Sequence, residues 1–122
     1  MRDIKFRTYV RFLREMHEVR EMIFDKGAVM IDAYQYGLDR GDAPVMQYTG
    51  FTDINGIEIY EDDLIKKDDD KFVRCGVVSF IHGCWMVASK DGDSYFNLHH
   101  YLNQVKVIGN IHQNPELLDG DK

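Results

Sequence analysis

The chain has 122 residues, 44% of them hydrophobic, which suits one globular domain with an ordinary core and excludes wholesale disorder. Its formal net charge is −6, which argues against non-specific nucleic-acid binding, because that relies on Lys and Arg neutralising phosphates. No run reaches the ~18 apolar residues of a membrane span, and the opening MRDIKFRTYV carries charges where the apolar core of a signal would stand, so a cytoplasmic protein with no membrane partner is expected.

The basic residues Arg2, Lys5, Arg7, Arg11, Arg14 and Arg20 gather near the start, but Asp3, Glu15, Glu18 and Glu21 are interspersed, as on a mixed, solvated face. Ile4, Phe6 and Thr8 alternate with Lys5 and Arg7, the period-2 pattern of a half-buried strand. Phe12, Leu13, Met16, Val19 and Ile23 then recur at helical spacing, which predicts a helix over residues 11–24, ended by Asp25-Lys26-Gly27. Ala28 to Tyr36 suits a strand. Residues 37–44, GLDRGDAP, form a loop and the best internal boundary.

Beyond Pro44 the pattern is that of a β-meander. Strands are predicted over 45–49, 57–60, 63–67, 72–81, 84–89, 94–98 and 104–109. Asn55-Gly56, Asp68 to Asp70, His82-Gly83 and Asp91-Gly92 supply the turns between them. Residues 99–103 suit one helical turn. Asn114-Pro115 places a capping Asn before a Pro at the first helical position, predicting a short terminal helix that Leu117 and Leu118 fasten. The expected organisation is a single domain, 1–122. It comprises an N-terminal segment 1–44 (strand, helix, strand), a β-barrel 45–112 and a C-terminal helix and tail 113–122. The fold class is mainly β with short helices.

The stretch YTGFTDINGIEIYEDDLI, residues 48–65, is rich in acids and turns. An EF-hand loop needs Gly at position 6 and Glu at position 12. Counted from Asp53, Gly56 falls at position 4 and Leu64 at position 12, so the spacing fails. Asp62 and Asp63 are adjacent and would point to opposite faces of a strand, so they form no acid–base pair. Exposed turn acids are the expectation, with Asp53 and Asp63 able to accept backbone hydrogen bonds within their turns. Cys75 and Cys84, expected to be reduced in the cytosol, would approach each other if a hairpin folds about His82-Gly83. No tight Cys pair of zinc type is present. His99-His100 are adjacent and His112 stands alone, and no phosphate loop, nucleophile motif or dinucleotide fingerprint occurs. No metal, cofactor or catalytic residue is therefore expected. Aromatics are abundant, and most suit a core; Tyr34, Tyr36, Trp85 and Tyr95 are the candidates for a binding surface.

Three segments in order, MRDIKFR, VMQYTGFTDINGIEIYEDDLIK and VKVIGNIHQNPELL, resemble the YopX family of phage and prophage proteins across essentially the whole chain. The residues that carry the resemblance include Tyr48, Gly50, Asp53, Asn55, Gly56, Tyr60, Asp63, Gly109, Asn110 and Pro115, read as turn-forming positions. The resemblance implies a small SH3-like β-barrel with an added N-terminal part, and it carries over no activity, substrate or catalytic residue. Two departures stand out. Glu61-Asp62-Asp63 replaces the family's Glu-Gly-Asp, so Asp62 must tolerate a conformation that Gly adopts easily. The family's opening also often reads as strand-turn-strand, against the helix over 11–24. Together these readings lead to a non-enzymatic binding or assembly module of phage origin, a homo-oligomer with an unknown phage or host protein as partner. A nucleic-acid-binding barrel is the alternative that the charge disfavours.

Overall fold

A computed structural model describes residues 3–23, 28–31, 34–37, 44–67, 75–90 and 95–119, with the backbone alone described at 23, 28–31, 34–37 and 119. The protein is mainly β, and it forms two compact units, Met1–Tyr48 and Thr49–Lys122.

In the first unit, β1 (Phe6–Val10) and β2 (Glu15–Glu18) pair antiparallel from Arg7↔Glu18 to Val10↔Glu15. The turn between them is held by Arg14 N donating to Val10 O at 2.8 Å, and Arg14 sits at φ 56°. The helix expected over 11–24 is therefore replaced, over 11–18, by the turn and second strand of a hairpin. The Glu15–His17 contact of 2.8 Å depends on this, since residues two apart share a face on a strand but not on a helix. β1 also pairs with the start of β6 (Val45–Thr52), and the buried Thr8 hydroxyl donates to Pro44 O at 2.8 Å. β3 (Glu21–Ile23), β4 (Ala28–Ile31) and β5 (Tyr34–Gly37) form a separate three-stranded antiparallel sheet. The single strand expected over 28–36 is thus two strands of one hairpin, in register from Ala28↔Gly37 to Ile31↔Tyr34.

The second unit begins within β6. Residues 55 and 56 turn the chain into β7 (Glu58–Tyr60). The strands β8 (Asp63–Lys67), β9 (Cys75–Ile81), β10 (Cys84–Ala88), β11 (Tyr95–Asn97) and β12 (Val105–Asn110) follow. They form one curled, half-barrel sheet in the order β11-β10-β9-β8-β12. A 3-10 turn at Leu98–Tyr101 is capped by Asn97, whose side chain accepts from His99 N at 3.0 Å. A short helix, α1 (Glu116–Asp119), closes the described chain. The predicted strands 63–67 and 84–89 lie where expected; 68–74 and 91–94, including the Asp91-Gly92 turn, lie outside the described residues. Ile59, Ile65, Val78, Val87, Leu98 and Val105 form the buried core, with Phe51, Trp85, Phe96 and Tyr101 packed on it. Alternation along β9 and β10 sends every second residue inward, so Val78 and Val87 face each other across the pair.

Candidate functional site

The acidic stretch is built around two carboxylates. Asp53 Oδ1 accepts from Asn55 N at 2.8 Å and Ile57 N at 2.9 Å, and its Oδ2 accepts from Val107 N at 2.9 Å. One side chain thereby shapes the Asn55-Gly56 turn, where Gly56 has φ 79°, and ties that turn to β12. Asp63 Oδ2 accepts from Tyr60 N at 2.7 Å. Asp53 is 6% exposed and Asp63 2%, so the expectation of exposed turn acids fails for both. Buried carboxylates are tolerated where N–H groups replace water. Thr49, also in this stretch, is buried and donates to Ile59 O at 2.7 Å.

Asp62 and Asp63 part company as expected, though by a turn and not by strand alternation. Asp62 lies in the turn before β8 at φ 71°, with its Oδ2 2.9 Å from His112 Nε2. Its backbone N–H donates to Val78 O at 2.9 Å, and its O accepts from Ile111 N at 3.0 Å. Asn110 accepts from His112 N and Gln113 N, and its amide donates to Gln113 Oε1 at 2.7 Å. Asn114 Oδ1 accepts from Asn110 N at 3.2 Å, so its side chain turns back toward β12 and not forward as the expected helix cap. Gly109 lets it do so, since a Cβ there would lie 2.5 Å from Asn114 Oδ1. Gly50 has φ 91°, and Pro115 O accepts from Leu118 N at the start of α1.

The aromatic candidates do not form one surface. Trp85 stacks edge-on with Phe80, its cross-strand neighbour, at 4.9 Å between ring centroids. Tyr95 pairs with Ala88, which places it on the opposite sheet face from Trp85 and Val87. Phe80 is 57% and Tyr95 53% exposed. The side chains of Tyr34 and Tyr36 lie outside the described residues. Tyr48 has the Lys5 ammonium 5.3 Å from its ring centroid, and Tyr60 is buried. Cys84 opposes Ile81 beside the turn, whereas Cys75 pairs with Lys66 at the far end of β9. Six residues of strand, about 20 Å, separate Cys75 from Ile81, which corrects the expected approach of the two cysteines; the Cys75 thiol donates to Leu117 O. Among the described residues no three of His, Cys, Asp and Glu gather as a metal would require, and no helix is long and apolar enough to cross a membrane.

The profile of the YopX protein family matches residues 5–119. The chain belongs to the YopX family. Among solved structures it is similar to the protein EF1440 from Enterococcus faecalis. That match has 26% identity and a TM-score of 0.73, and covers 97% of this chain and 99% of that one. It is also similar to the protein YopX from Bacillus subtilis, at 22% identity and a TM-score of 0.57, over 93% of this chain and 97% of that one; this second likeness shows the fold. No curated protein matches.

In this YopX-family chain the middle and end motifs meet in space, because Asp53 reaches Val107 across 54 residues and Asp62 reaches His112 across 50. Three features went unread in the sequence. Phe12 and Leu13 stand exposed at the β1–β2 tip, hidden by their helical spacing. Lys66 directly opposes Lys106, a pairing set by register alone. Lys67 places its ammonium 4.7 Å from the Phe96 ring and 4.1 Å from that of Tyr101, an attraction to ring faces that no local spacing announces.

Proposed function

We propose that this chain is a non-enzymatic binding or assembly module of phage or prophage origin that works in the cytoplasm and self-associates. The observation that carries the reading is the exposure of two adjacent large apolar side chains, Phe12 and Leu13, at the β1–β2 tip. Contiguous exposed apolar surface marks sites where partners dock. The motif carboxylates of Asp53 and Asp63 are meanwhile engaged with backbone N–H groups, which leaves them to hold turns and not to move protons. Light scattering over a concentration series tests self-association: the mass per particle rises with concentration, and a strict monomer at the highest concentration removes the reading.

Nucleic-acid binding is the second reading, favoured by the Lys66–Lys106 pair. The net charge of −6 works against it. Binding to single- or double-stranded DNA at low salt, weakening as salt rises, supports this second reading, and an absence of binding at low salt removes it.

A further inference from the structure

We infer that the tip of the β1–β2 hairpin, Arg11-Phe12-Leu13-Arg14, docks on the acidic second unit of another copy of this chain. The inference rests on the self-association reading and names its surface. Phe12 is 72% and Leu13 44% exposed, and both flanking arginines are exposed. The tip is a built element and not a loose loop. Arg14 N donates to Val10 O at 2.8 Å and Leu13 N to the same oxygen at 3.2 Å, while four registered residue pairs hold the strands below it. A preordered tip loses little freedom on docking.

The charge distribution selects the occupant. Residues 1–48 hold eight Lys or Arg and eight Asp or Glu; residues 49–122 hold seven and thirteen, so the whole net charge of −6 lies in the second unit. Within the tip there are two cations and no acid. The next acid, Glu15, has its carboxylate 2.8 Å from His17 Nε2 on β2. Two tips cannot pair with each other, because four guanidinium groups would meet. The contact is therefore heterologous, tip to acidic body, and repeats into a ring or a filament. An anionic bilayer would also attract arginines flanking apolar side chains, but it would repel a chain of net charge −6.

The test is sedimentation equilibrium of the full chain over a concentration series, at low and high salt. It compares wild type with Phe12→Ser/Leu13→Ser, with Arg11→Glu/Arg14→Glu and with Phe80→Ser as a control elsewhere. Circular dichroism checks each fold, and the arginine pair, at exposed turn positions, keeps the test available where the apolar pair misfolds. Wild type and F80S should associate, more weakly at high salt, and both tip variants should associate at least about tenfold more weakly. A tip variant mixed with wild type should also shorten the assemblies, since it accepts a tip but offers none. Wild type that associates with tip variants unchanged overturns the tip proposal and leaves self-association standing. Monomeric wild type overturns both, and tip-dependent binding to phosphatidylserine vesicles by such a monomer reassigns the tip to membranes.

Discussion

Replacing Asp53 by Ala would strip the acceptor from three backbone N–H groups, those of Asn55, Ile57 and Val107. Hydrogen bonds to a charged acceptor are worth about 1.5–3 kcal/mol each, and not additively. D53A should therefore lower unfolding free energy by about 3 kcal/mol or more in urea titration, and D53N by less, because one carbonyl oxygen remains. An equal loss for both variants would contradict this account. His82 and Gly83 lie at φ 52° and 79°, the pair of positive angles that a type I′ hairpin turn requires and that Asn-Gly meets best. His82→Asn is expected to raise stability by about 0.5 kcal/mol, read as a higher thermal midpoint. The sequence made part of this legible. Asn55-Gly56 and His82-Gly83 announce turns by residue type alone, and Asp53 suits an Asx turn. Its third bond was not legible, because Val107 lies 54 residues away and no local pattern carries that distance.

At the scale of elements, β9 and β10 pack closely at Gly76. A Cβ there would lie 2.5 Å from Val87 Cγ1 and 2.8 Å from Ala88 O. The second of these is backbone and cannot swing aside, so Gly76→Ala should cost about 1–3 kcal/mol by overpacking, again read by urea unfolding; a neutral outcome would mean that the strands separate at little cost. The N-terminal hairpin is the element that sequence patterning misjudged. Phe12, Leu13, Met16, Val19 and Ile23 fall at helical spacing, yet the pairing of β1 with both β2 and β6 overrides that periodicity. Strand preference depends on neighbours more than on intrinsic backbone preference, and the neighbour β6 begins at Val45, far outside any local window.

For the whole molecule the charge distribution makes opposing predictions about salt. With all of the net −6 in residues 49–122, self-repulsion destabilises the folded chain. Raising ionic strength from about 0.01 M to about 0.5 M shortens the screening length several-fold. The thermal midpoint of dilute protein should therefore rise by a few degrees, while the association proposed above weakens over the same range. A midpoint that falls with salt would show that attractive ion pairs, not net repulsion, dominate the second unit.

The sequence by itself determined the mainly β class, the meander after Pro44, several of its turns and the family. Each of these is written in residue type and period-2 alternation over a few neighbours. Tertiary structure decided between the helix and the family's strand-turn-strand opening, and it alone decided that Asp53 and Asp63 are buried and that Lys66 faces Lys106. Each depends on which distant strands lie side by side, and strand register is fixed by long-range pairing that no short stretch encodes.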